Sequence, residues 1–279
     1  MSEPTDAVNP RRHVGGRDLP AAILVGALLA TLVVAAVLWR DEAVVAVVLA
    51  LVVIAYLDAG RALADHADRP MPGPLLASAP VLIVAPAVLG PHGQGLGVAF
   101  LLGATVTAVL LRGERDGVVQ RTAVTLLFGV WVGFLASYAV LLLGHDDGAV
   151  LLLTVVGVVA LVDIGGYAFG VPFGRHKLAP RLSPKKSWEG LVGGLVLAAA
   201  VGAGVIPLVT SLGPVQAAAF AVLCGAAGFV GDLVESMVKR DLGVKDLGTA
   251  LPGHGGVLDR VDGVLFALPL AHYVLVVVG

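Results

Sequence analysis

Apolar and polar positions in this chain alternate on the scale of whole helices. Long runs without Asp, Glu, Lys or Arg are separated by short polar stretches. A helix needs roughly 20 mostly apolar residues to cross a hydrocarbon core of about 30 Å. Leu19 to Trp39 meets this as a first span, and Ala43 to Leu57 is a shorter second one with Trp39 and Tyr56 placed for its interfaces. Pro70 to Leu111 is too long for one helix, and the segment from Gly90 to Gly95 divides it into spans three and four. Pro72, Pro74, Pro80 and Pro86 leave open whether span three is straight, kinked or re-entrant. Thr122 to Gly144 is span five, and Gly148 to about Gly170 is span six, interrupted by Asp163. Gly190 to Gly231 divides at Pro207 and Pro214 into spans seven and eight, and Gly263 to Val278 is the ninth. The expected fold is therefore an all-α, polytopic membrane protein of about nine helices.

Composition agrees. Of the 279 residues, 58% are apolar and only 14% charged, against about a quarter charged in an average soluble domain. Cys224, the one cysteine, excludes a disulfide framework and a cysteine-based zinc site. Residues 1–18 read as a cytoplasmic tail before an uncleaved anchor, since the leader carries Glu3, Asp6 and Asp18 and the apolar run exceeds a signal-peptide core. Residues 19–279 read as one membrane domain, with N-terminal helices to 144 and a second half, 145–279, that holds the polar loops.

The basic residues orient the chain. With nine spans and the N-terminus inside, every Lys and Arg of the 18 except Arg40 falls on the cytoplasmic side, a strong case of the positive-inside rule. Half of them lie in two segments, 171–189 and 232–262. The first contains Ser183-Pro184-Lys185-Lys186-Ser187-Trp188-Glu189, and basic loops of this kind also serve simply to anchor a protein on anionic lipid. The second interleaves Lys239, Arg240, Lys245 and Arg260 with Asp232, Glu235, Asp241, Asp246, Asp259 and Asp262, which lipid anchoring does not explain.

Asp232, Glu235, Ser236 and Lys239 share one helical face, and Asp259 and Asp262 are again three apart, just before span nine. Two helix ends can thus bring carboxylates together as hard oxygen ligands suited to Mg²⁺. Asp163 is the costliest residue to place in a bilayer, so it faces a cavity or a partner, and a basic residue of the next loop is one candidate. Pro252-Gly253-His254-Gly255-Gly256 cannot be a helix interior and can form a loop whose N–H groups face an anion. The Gly93–Gly97 run reads as an outer turn, and His92, His145 and His272 as interfacial or packed residues without clustered partners. Acids, cations and a glycine loop at the bilayer edge point to phosphoryl or nucleotidyl transfer on a lipid.

The run from Ser236 through Lys239-Arg240 and Lys245-Asp246 to Pro252-Gly253-His254-Gly255-Gly256-Val257-Leu258-Asp259-Arg260-Val261-Asp262 resembles the signature of the phosphatidate cytidylyltransferase (CDP-diacylglycerol synthase) family. Gly231-Asp232 to Ser236 and Ser183 to Gly190 are similar to that family as well. Asp163-Ile164-Gly165-Gly166-Tyr167 resembles its Asp-Thr/Ser-Gly-Ala-Tyr segment, with departures at Ile164 and Gly166. The resemblance covers roughly residues 160–270, and the N-terminal half matches in hydropathy only.

The resemblance implies transfer of CMP from CTP to phosphatidic acid, giving CDP-diacylglycerol and pyrophosphate. It implies Asp232 and Asp259 as ligands of Mg²⁺, with K⁺ as a second candidate ion; Glu235 and Asp262 stand beside them on the same helix faces as further candidate ligands. Lys239, Asp246 and Asp163 join the catalytic set. Lys185, Lys186, Ser187, Ser236, Arg240, Lys245, Gly253, His254, Gly255, Gly256 and Arg260 are the candidates for holding the substrates. The expected setting is the inner membrane, with the site facing the cytoplasm, a homodimer as one possible assembly and no nucleic-acid partner. A CTP-dependent lipid kinase of the polyprenol type is the nearest alternative and an anion transporter the more distant one. A CDP-alcohol phosphotransferase is disfavoured, because its Asp-Gly-x-x-Ala-Arg run is absent.

Overall fold

The computed structural model describes residues 19–64, 66, 69–113, 116–248, 250 and 255–278. Among these, eight helices are long and apolar enough to cross a membrane, and α1 (Leu19–Trp39) is a further apolar helix ahead of them. The succession is α2 (Asp41–Ala62), α3 (Pro72–Leu89), α4 (Pro91–Arg112), α5 (Val118–Phe128), α6 (Leu135–Leu142), α7 (Gly148–Phe173), α8 (Trp188–Val205), α9 (Pro214–Asp241) and α10 (Leu258–Val278). A π-helical segment, Gly129–Phe134, joins α5 and α6 into one crossing. The predicted fold class holds.

Several boundaries differ from the sequence reading, each for a local reason. The second span is not short: α2 runs on past Leu57 through Asp58 to Ala62. Asp58 is tolerated there because it is 1% exposed and hydrogen-bonded to distant backbone. The third span is a continuous helix that contains Pro80 and Pro86. The Gly93–Gly97 run is not a turn. It forms the first turns of α4 after a break at Gly90 alone (φ 58°), and Gln94 Nε2 donates to Ser137 Oγ at 2.8 Å. His145 and His272 do have partners: His145 Nε2 lies 3.3 Å from His272 Nδ1, beside the paired hydroxyls of Tyr138 and Tyr273 at 3.2 Å. Those residues are more than a hundred positions apart, so no local pattern could pair them.

In lipid, backbone groups must be satisfied within the protein. The π-helical segment shifts its ladder to i→i+5 bonds, and the buried Tyr56 hydroxyl of α2 donates to the Gly129 carbonyl at 3.2 Å. The two apolar cores share elements. One joins α6–α10 with Ala36 and Val44, and the other joins α2, α3, α5 and α6 with Val238, Leu247, Val257, Leu258 and Leu265. The N-terminal helices are thus packed directly against the ends of α9 and α10.

Between α7 and α8 the chain forms an antiparallel hairpin, β1 (Lys177–Ala179) with β2 (Ser183–Ser187). Trp188 N–H donates to the His176 carbonyl at 3.0 Å, and His176 Nδ1 meets Glu189 Oε1 at 2.6 Å, tying the hairpin to the start of α8. Helices α7 and α8 meet on small residues, as membrane helices do. A Cβ at Gly194 would lie 2.6 Å from the Val162 carbonyl oxygen, and one at Gly165 would lie 2.7 Å from Gly194 Cα. This close approach holds β2 over the end of α9.

Candidate active site

Helix α9 is 28 residues long, about 42 Å at 1.5 Å per residue, so it outruns a hydrocarbon core of about 30 Å. Its last turns carry Asp232, Glu235, Ser236 and Lys239 on one face. The first turns of α10 carry Asp259, Arg260 and Asp262. The two helices touch where a Cβ on Gly231 would lie 2.6 Å from the Asp262 carbonyl oxygen. That contact brings the two acidic stretches to opposite walls of one cavity of about 360 Å³. Asp163 of α7 and Asp246 of the α9–α10 connection line it too. The sequence-predicted catalytic residues Asp163, Asp232, Lys239, Asp246 and Asp259 therefore converge on a single space.

Two lysines balance part of the negative charge. Lys239 Nζ donates to Glu235 Oε2 at 2.5 Å and to Asp259 Oδ1 at 3.0 Å; the lysine side chain is 18% exposed and both carboxylate side chains 3%. Lys186, brought over by β2, reaches Asp232 Oδ2 at 2.5 Å, with its ammonium 4.1 Å from the Phe229 ring centroid. Ser236 Oγ donates to Asp232 Oδ1 at 3.4 Å. Asp259 is also a backbone anchor. Its carboxylate accepts the N–H of Leu247 at 3.0 and 3.2 Å and that of Gly256 at 2.7 Å. Gly255 precedes this contact with φ 78°, a left-handed turn that favours glycine.

A match to the cytidylyltransferase family covers residues 21–278. The chain belongs to this family. A Mycobacterium bovis protein named phosphatidate cytidylyltransferase is 35% identical over 280 residues, covering 93% of this chain and 89% of that protein. A Mycobacterium leprae protein of the same name is 33% identical over 272 residues, covering 90% and 85%. The sequence reading confined the resemblance to roughly residues 160–270. The family match extends it through the N-terminal helices.

Members of the cytidylyltransferase family use metal-assisted chemistry, and this site has a donor set that fits it. Asp232, Glu235 and Asp262 each offer a carboxylate oxygen within 4.8 Å of the others. Glu235 Oε1 is buried without a hydrogen-bond partner, and leaving such an oxygen unsatisfied is costly. Oxygen-only donors suit a hard divalent cation. Of the ligands implied by the resemblance, Asp232 belongs to this trio, whereas Asp259 faces the same cavity with its oxygens engaged by Lys239, Leu247 and Gly256.

The candidate substrate residues divide into three groups. Arg260 lines the cavity, while Lys185, Arg240 and Lys245 are exposed and are not among its lining residues. Ser187 is buried and caps α8, its Oγ accepting the Gly190 N–H at 3.2 Å. Gly255 and Gly256 shape the approach to α10, and Gly253 and His254 lie outside the described residues. Asp58 is the site-adjacent residue that the sequence reading passed over: its carboxylate meets the backbone of Ala250 and Val257. An acid at the end of an apolar span was the available signal.

Removing one partner of a buried ion pair costs about 3–5 kcal/mol, because the other charge is left uncompensated. Lys239→Met is therefore expected to lower stability by about 3 kcal/mol, read as a clear drop in the thermal midpoint of detergent-purified protein. An unchanged midpoint would show that the Glu235–Lys239–Asp259 bridge is not structural.

Proposed function

We propose that this chain transfers CMP from CTP to phosphatidate, forming CDP-diacylglycerol and releasing pyrophosphate. The observation that carries the proposal is the 35% identity, over 93% of the chain, to a protein named phosphatidate cytidylyltransferase. The acid-and-lysine cavity between α7 and the ends of α9 and α10 supports it chemically. A phosphate oxygen of the lipid forms a bond to the α-phosphorus of CTP as the bond to the β-phosphate bridging oxygen breaks. The lipid is itself the nucleophile, so the protein supplies positioning and charge.

Asp232, Glu235 and Asp262 are the proposed ligands of Mg²⁺. The cation would neutralise phosphate charge during the transfer. Lys239, held between Glu235 and Asp259, is a fixed positive charge beside the cavity and needs little reorganisation as charge moves. Arg260 faces the same space, and the exposed Arg240 and Lys245 give the triphosphate and the departing pyrophosphate a cationic route. These groups support reading the α9–α10 side as the nucleotide side. On the α7–α8 side, Ile164, Tyr167 and Trp188 are 63%, 76% and 55% exposed near Asp163 and Lys186. Apolar surface there supports entry of the diacyl substrate, with Lys186, and Lys185 next to it, meeting the headgroup.

Incubation of the purified protein with phosphatidate, Mg²⁺ and CTP labelled at the α-phosphorus is expected to move the label into lipid. Label recovered only in CDP, with phosphorylated lipid, would make the protein a CTP-dependent kinase. No reaction at all would remove the transferase reading.

The one-sided placement of Lys and Arg supports a cytoplasmic site at the inner membrane. A Lys245→Cys variant tests this, since the native Cys224 is buried. It is expected to react with a membrane-impermeant maleimide in inverted vesicles and not in intact spheroplasts. The reverse pattern would invert the topology.

A further inference from the structure

The connection from α9 to α10 is gripped from both sides by carboxylates. Asp259, at the start of α10, takes the N–H groups of Leu247 and Gly256. Asp58 approaches from α2, almost two hundred residues away in sequence. Its Oδ1 accepts the Ala250 N–H at 3.0 Å and its Oδ2 the Val257 N–H at 3.3 Å. The fit around Asp58 is close. A Cβ on Gly248 would collide with its carboxylate, and one on Gly256 would lie 2.7 Å from Oδ2. Two further contacts from the same region secure the connection. His66 Nε2 donates to the Leu242 carbonyl at 3.0 Å, just beyond the end of α9. Leu63, Leu247, Val257 and Leu258 are buried in one apolar core.

A carboxylate in an apolar helix is expensive to insert, and none of the described residues lining the cavity belongs to α2. Asp58 is not among the residues that line the cavity. What it does reach is the backbone on both sides of residues 251–254, within the stretch that carries Asp246 and leads into Asp259 and Arg260. We propose that Asp58 is a positioning residue for nucleotide transfer: from the N-terminal half of the chain it fixes the α9–α10 connection, so that the nucleotide side of the cavity is formed before CTP binds. The proposal rests on the transferase reading above for its kinetic consequence, but not for its structural one.

Hydrogen exchange on the wild-type protein tests the structural part without any turnover. The amides of Ala250 and Val257 are expected to exchange much more slowly than in an unstructured peptide, and Asp58→Asn is expected to release them. Rapid exchange of both amides in the wild type would overturn the proposal. The kinetic part is a split between the two substrates. If loss of the Asp58 grip leaves the connection in its binding-competent form only about a tenth to a hundredth of the time, the apparent KM for CTP rises about 10- to 100-fold, so Asp58→Asn is expected to show that rise while the KM for phosphatidate stays near wild type. A merely structural role would lower the active fraction and leave both KM values alone, and that result would overturn the proposal even if the amides are protected. Gly248→Ala, which crowds the same carboxylate from the loop side, should give the same split. If neither variant folds, the wild-type exchange rates decide. A wild type that protects both amides yet transfers no CMP would defeat the transferase reading and leave the Asp58 contact standing.

Discussion

Like charges are crowded where the dielectric is low. Asp163, Asp232, Glu235, Asp259 and Asp262 line one cavity in a helical bundle whose membrane-spanning runs are almost free of charge. Such a cluster is stable only if cations and N–H groups are delivered to it. Each delivering group comes from a different element: Lys239 from α9 itself, Lys186 from the hairpin, and the amides of Leu247 and Gly256 from the connection before α10. The architecture follows from that requirement. Glycines let α7 approach α8 and α9 approach α10 closely enough for the charges to meet, and α9 extends beyond the bilayer to carry them.

The same constraint accounts for the division of labour along the chain. The second half holds the cavity, and among the described residues the N-terminal helices supply none of its lining. They brace it instead. Tyr56, Asp58, Leu63 and His66 all lie near the end of α2, and each contacts or packs toward a segment far away in sequence. A family match that runs from residue 21 is what a brace of this kind would require.

Much of this was legible in the sequence, because charge is rare enough in it to be informative. Helices about as long as a bilayer is thick show as runs without charge, and the i, i+3 and i+4 spacing of Asp232, Glu235 and Ser236 places them on one face before any coordinates are known. The positions that escaped depend on long-range pairing. In the sequence Asp58 looks like a boundary that ends the second span at Leu57; its partners, Ala250 and Val257, are backbone groups with no sequence signal. The His145–His272 contact and the π-helical segment at Gly129 are invisible for the same reason. Among the acids, spacing could show that Asp259 and Asp262 share a face with each other. It could not show that Lys239 and two amides would occupy Asp259 while Asp262 stands with Asp232 and Glu235.

This last trio is proposed to hold the divalent ion on which transfer depends. Binding of Mn²⁺ to the purified protein, followed by electron paramagnetic resonance and competed with Mg²⁺, tests it directly. Outer-shell partners alone are worth about 10- to 100-fold in metal affinity. Asp262→Asn or Glu235→Gln, which removes a ligand, is therefore expected to weaken binding by at least about tenfold in a protein that still folds. Mn²⁺ binding as tight in both variants as in the wild type would contradict the claim.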